Sequence, residues 1–157
     1  MTLGALVDAG APFPELVKGL SRLGVRGFRL RKRRVQRGAI SATKIDVLIT
    51  SNLRHPLSLS RIRTVLSSSR LSSSLRRQSL AVFERLAEAE GKAHRVSKDH
   101  VHFHEVGDLD SFVDIVGGVI CCELLDVSRA TASAVNVGTG TMHSAHGILP
   151  APGPAVA

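Results

Sequence analysis

Apolar and polar residues divide the chain into short segments, each with its own period. Thr2–Ala9 repeats at helical spacing and stops at Gly10, and Pro12 and Pro14 open a second helix over about Phe13–Leu20. Val25–Val35 alternates weakly, with Arg29, Arg31 and Arg33 on one side, and predicts a strand. Ala39–Thr50 predicts a second strand after Gly38, so the pair reads as a hairpin. Ser51–Pro56 reads as a loop, Leu57–Leu66 as a short helix, and Ser67–Ser74 as mobile, serine-rich sequence. Arg76–His94 is the clearest amphipathic helix, with Leu80, Phe83, Leu86 and Ala87 inward and Arg85, Glu88 and Lys92 outward. Asp110–Leu125 predicts a buried helix and Ala130–Val137 a last strand; no internal repeat is present. This pattern is that of an α+β fold, a small mixed sheet packed by helices.

Length and composition narrow the picture. At 157 residues the chain suits one domain with a sizeable core. It has five Phe and neither Tyr nor Trp, so the core is aliphatic and platforms for stacking single-stranded nucleic acid are nearly absent. The adjacent Cys121 and Cys122, in the middle of a helix, make no disulfide framework. A reducing, cytoplasmic setting is expected, with Cys121 at most a soft metal ligand. No signal peptide is visible, and the longest apolar run, Ile115–Cys122, falls far short of the ~20 residues of a membrane helix.

The net charge of +8 is unevenly spread. Residues 1–98 hold 20 basic against 6 acidic side chains, a balance of +14, and residues 99–157 hold one Arg against 7 acids. The basic part suits a phosphate-bearing molecule or nucleic acid, and the acidic part suits a cation. Arginines that only solvate helices and strands give the same count.

The candidate chemistry is concentrated in His102–Gly118, where two imidazoles and four carboxylates fall within thirteen positions. In an extended stretch His102 and His104 project from one side while Phe103 points to the other. Neutral imidazole is the commonest nitrogen ligand for zinc, nickel and copper, and carboxylates extend such a site toward harder cations. Gly107 breaks the stretch, and Asp108 or Asp110 can cap the following helix. Asp110 and Asp114 are four apart and share a helical face. Asp114 lies between Val113 and Ile115, and a carboxylate buried there needs a cation, either a metal held with the histidines or a single arginine. The plainer alternative has capping aspartates, satisfied histidines and an Asp114–Arg pair. A second constellation, with Gly138, Gly140, His143 and His146 ahead of a proline-rich exit, offers His146 to the same ligand set. Its Gly-x-Gly alone is a weak phosphate signal.

On these residues the chain resembles the LarC family, the nickel-insertion proteins of lactate racemase cofactor assembly. The specific element is His102-Phe-His-Glu-Val-Gly107. Supporting segments run in order: Met1–Gly10, Ile40–Val47, Phe83–Glu90 and Ala145–Pro152. The resemblance implies a CTP-dependent cyclometallase that inserts nickel into pyridinium-3,5-bisthiocarboxylic acid mononucleotide, making the nickel–sulfur and nickel–carbon bonds of a pincer cofactor. It implies His102, His104, Asp110 and His146 as metal contacts and Glu105 and Asp114 as catalytic carboxylates, with His143 a looser match.

The departures from the family are specific. The family begins with a strand and an acidic glycine-serine loop ahead of the Met1 segment. It often carries a histidine-rich insert after the second strand, where this chain has only His55. Asp108 stands where a small residue is usual. The CTP-binding C-terminal region is missing. Residues 1–150 therefore resemble an N-terminal, incomplete domain with a flexible serine-rich segment over 51–75, and 151–157 the start of a linker. CTP with Mg or Mn is expected only with the missing region, which a partner chain would supply. A nucleotide-like small molecule is the expected substrate, a homo-oligomer is compatible, and no membrane or nucleic-acid partner is expected. Two rival readings are a metal-dependent hydrolase using the same His-x-His pattern and a basic nucleic-acid-binding module.

Overall fold

The computed structural model describes residues 1–50, 57–101, 103, 108–144, 147–154 and 156. The expected Ser51–Pro56 loop lies outside them.

Helices α1 (Thr2–Asp8) and α2 (Phe13–Ser21) are separated by Gly10, whose φ of +116° suits glycine alone. Pro12 caps α2 from an extended conformation and Pro14 fills its first turn, where no backbone donor is lost. Strands β1 (Phe28–Arg37) and β2 (Ile40–Ile49) form the expected antiparallel hairpin, in register from Phe28–Ile49 to Arg37–Ile40. Its two-residue turn begins at Gly38, with φ +58°. The register puts Phe28, Leu30, Ile45 and Val47 on the inner face and Arg29, Arg31, Arg33, Lys44 and Asp46 on the outer one.

Helix α1 lies directly on β2. A Cβ at Gly4 would collide with the Thr43 carbonyl oxygen, so only glycine allows the approach. At the end of α1, Asp8 accepts hydrogen bonds from the Thr43 amide (2.7 Å), the Thr43 hydroxyl (2.7 Å) and Arg34 (2.9 Å). These bonds hold its carboxyl below the usual range, the Thr43 hydroxyl contributing most.

Helices α3 (Leu59–Ser68) and α4 (Ser73–His94) form a hairpin of their own. The serine-rich run, expected to be mobile, occupies their junction, because its hydroxyls serve helix ends. Ser72 caps α4 by accepting from the Leu75 amide (3.1 Å), and Ser69 donates to the Leu66 carbonyl (2.7 Å). Arg63 of α3 bridges Glu84 of α4 (2.9 Å) and Asp99 (2.6 Å) in the single 3-10 turn Lys98–His100.

Helix α5 (Leu109–Leu124) is the centre of the core and packs on α1, α2, α4 and β2. Phe112 stacks on Phe83 with ring centroids 5.5 Å apart. Gly117 lets Leu3 and Leu16 approach, and Gly19 of α2 does the same for Ile120. Among the described residues none beyond Leu125 joins this core. Ala130–Val137, expected to be a strand, is irregular and exposed throughout. The strands of this region are β3 (Thr141–Ser144) and β4 (Gly147–Pro150), a separate antiparallel hairpin. The fold is α+β, with five α-helices and two small antiparallel sheets among the described residues. Among the described residues no helix is long and apolar enough to cross a membrane.

Candidate metal-handling site

The candidate site is built on the amino end of α5 and the segment leading into it. Val101 and Phe103 are both buried. His102, His104, Glu105 and His146 lie outside the described residues. Asp108 occupies the N-cap of α5 in an extended conformation, yet its side chain makes no cap hydrogen bond. Asp110, in the first turn, accepts from the Ser111 amide at 2.8 Å. The amino end of the helix favours both negative charges.

Asp114 corrects an expectation. Its sequence neighbours are apolar, but the side chain is exposed. Phe112, Val113, Val116, Gly117, Ile120 and Cys121 form the buried face, and Asp110 and Asp114 run along its edge. Asp114 therefore needs no buried cationic partner. Partial desolvation still raises its pKa, and Asp110 adds to this against the attraction of the N-terminal ammonium. The two carboxylates remain open to an incoming cation.

Cys121 is corrected too. It is completely buried, and burial pushes its thiol up to about 11, with Cys122 adding to the shift. A thiol protonated at neutral pH is a poor metal ligand. On the C-terminal hairpin, His143 is exposed, and Gly138 and Gly140 have φ of +79° and +97°. The Gly138 amide donates to the Asn136 side chain at 2.9 Å, an Asx turn that accounts for this Gly-x-Gly without a ligand. Among the described residues no three His, Cys, Asp or Glu side chains converge on one point.

The basic stripe on β1 has a counterweight the sequence reading missed. Asp46 of β2 pairs with Arg33 (2.8 Å), Lys44 (2.9 Å) and Arg31 (3.2 Å), and these bonds, Arg33 foremost, hold its carboxyl far below the usual range. Once two strands are assigned to a hairpin, the cross-strand register brings Arg31 opposite Asp46, so the signal was in the pairing rather than in either strand. Arg29 has no ion-pair partner among the described residues and keeps its charge available.

Comparison with known proteins adds a second line of observation. The family model described as "Nickel insertion protein" matches residues 1–157. A pyridinium-3,5-bisthiocarboxylic acid mononucleotide nickel insertion protein of Akkermansia muciniphila is 40% identical over 165 aligned residues, covering all of this chain and 41% of that protein. Proteins of the same name from Nocardioides sp. and Thermotoga petrophila are each 43% identical, again along the whole chain and 40% and 41% of theirs. The chain thus spans about 40% of the length of these relatives. No solved structure matches it. With the family model matched from Met1 to Ala157, the chain belongs to the nickel insertion protein family.

Proposed function

We propose that this chain is the nickel- and substrate-handling part of a protein that inserts nickel into pyridinium-3,5-bisthiocarboxylic acid mononucleotide. The observation that carries the reading is the match of a family model along the whole chain, together with relatives that bear that name. The donor set fits the task. Imidazoles from His102, His104 and His146 with the Asp110 carboxylate hold Ni²⁺ in a mixed nitrogen and oxygen site. Such a site keeps open positions and releases the ion to softer sulfur ligands, which a closed four-thiolate site would not do. As the substrate's two sulfurs displace protein ligands, the ring carbon between them loses its proton and bonds nickel. Glu105 accepts that proton as general base. Asp114, whose carboxyl titrates above the usual range, is a second proton acceptor at the same end of α5. The basic N-terminal half orients the substrate phosphate. CTP with Mg²⁺ or Mn²⁺ acts in a C-terminal region supplied by further sequence or a partner chain.

The test is nickel stoichiometry of the purified chain by elemental analysis, with and without a C-terminal partner polypeptide. The doubly substituted His102→Ala/His104→Ala chain loses bound nickel on this reading. Unchanged stoichiometry in that variant overturns the ligand assignment.

A further inference from the structure

A cavity of about 390 Å³ opens between the turn after α2 and the outer flank of α3, and Leu109 of α5 forms part of its wall. Its two ends differ in chemistry. Arg26 and Arg61 supply two guanidinium groups, whereas Leu57, Val65 and Leu109 make an apolar wall, and among the described residues no carboxylate lines the space. Neither guanidinium has an ion-pair or hydrogen-bond partner among the described residues. Arg31, Arg33, Arg34 and Arg63, by contrast, are all paired with carboxylates. Two cations facing one cavity with no counter-charge among the described residues repel each other, and a dianion relieves that repulsion. Guanidinium is also the side chain best matched to phosphate oxygens.

The cavity is braced rather than fortuitous. The Arg70 amide donates to the Arg22 carbonyl at 2.8 Å, tying the turn after α2 to the junction of α3 and α4. Ser58 caps α3 by accepting from the Arg61 amide at 3.3 Å. The Thr64 hydroxyl, also lining the space, donates to the Ser60 carbonyl at 3.0 Å. Its proton being engaged, that oxygen can only accept, which suits a ligand hydroxyl and not a phosphate oxygen. A pocket of a few hundred Å³ with one apolar wall and few polar groups is of the size that takes a small organic ligand. Leu109 stands two positions beyond Gly107, so the cavity meets α5 where the histidine-bearing segment ends.

We propose that this cavity binds a nucleotide-like phosphate monoester, its phosphate on Arg26 and Arg61, its sugar hydroxyls toward Thr64 and its ring against Leu57, Val65 and Leu109. The pyridinium identity of the ring rests on the function proposed above; the phosphate site does not.

Isothermal titration of the metal-free chain with nicotinate mononucleotide, a pyridinium ribose monophosphate, tests the assignment. Arg26→Ala and Arg61→Ala are each expected to weaken binding about tenfold, as loss of a charge-assisted contact does. Arg77→Ala, on the exposed side of α4, should leave it unchanged. Orthophosphate should compete, and the nucleoside lacking phosphate should bind at least tenfold more weakly. Equal affinity for the nucleoside, or wild-type affinity in Arg26→Gln/Arg61→Gln, overturns the proposal. So does tighter binding of a single-stranded oligonucleotide than of the mononucleotide. Loss of affinity in Arg29→Ala with the cavity variants unaffected places the phosphate on the hairpin and overturns it as well. The two readings fail separately, because His102→Ala/His104→Ala should abolish nickel loading while nucleotide affinity is retained.

Discussion

Single side chains in this protein are decided by what they touch. The Ser79 hydroxyl is fully buried in α4 and has no hydrogen-bond partner among the described residues. A buried, unsatisfied hydroxyl costs more than the methyl that could replace it, so Ser79→Ala should raise stability by about 1 kcal/mol in urea denaturation. A loss of stability would mean that the hydroxyl is satisfied by a bound water. Gly4 behaves in the opposite way, since any side chain meets the Thr43 carbonyl. Gly4→Ala should destabilise by roughly 1–3 kcal/mol through overpacking, read from the same measurement. Asp114 shows how sequence context misleads at this scale. Val113 and Ile115 are its neighbours along the chain, yet in a helix each lies about 100° around the axis from it. The buried face formed by Phe112, Val113, Val116, Gly117, Ile120 and Cys121 covers about half of the helix, and at about 100° per residue Asp114 falls just outside it. The identity of its immediate neighbours decided the expectation instead.

Elements are held in place by a few charged clasps between them. Asp8 joins α1 to β2, and Asp46 gathers the basic groups of the β1–β2 hairpin. Both carboxyls titrate lower in the folded chain than in an unfolded one. The folded state therefore binds their protons less readily, and their stabilising effect is complete above the unfolded value, about 4. It drains away as pH falls below that. Melting temperature should drop steeply on acidification in the wild type and more gently in Asp8→Asn/Asp46→Asn; parallel profiles would refute the role given to these clasps. The hairpin itself was legible, because Gly38 punctuates two alternating runs and the register follows from a two-residue turn. The amphipathic period of α4 was equally readable, and its core contacts Phe83 and Ala87 are buried as expected. Ala130–Val137 was misread for the converse reason. Alternating Ala, Ser, Val and Asn describes a strand only when a second strand takes up its backbone hydrogen bonds, and no described residue does. Of the donor set, the residue types and spacing were legible, but which ones converge is a property of three-dimensional packing that spacing does not contain.

For the molecule as a whole, charge and core follow different boundaries. The basic part spans the helices and hairpin up to Lys98, whereas the core runs on to Leu125 and takes in the buried face of α5. Along the sequence, the proposed nickel site follows a basic stretch and lies in an acidic one, a charge distribution suited to bringing a phosphate and a metal ion to neighbouring places. Binding of the mononucleotide should accordingly weaken with added salt more than nickel loading does, which titrations across ionic strength would measure; equal salt dependence would argue against separate sites. The exposed stretch after Leu125 has a practical corollary. Val127, Val135 and Val137 lie open to solvent and no described residue there anchors in the interior. A protease cutting within 126–140 would detach the second hairpin without baring the body's interior, so brief digestion followed by mass spectrometry should yield a trimmed body that melts at the parent's temperature.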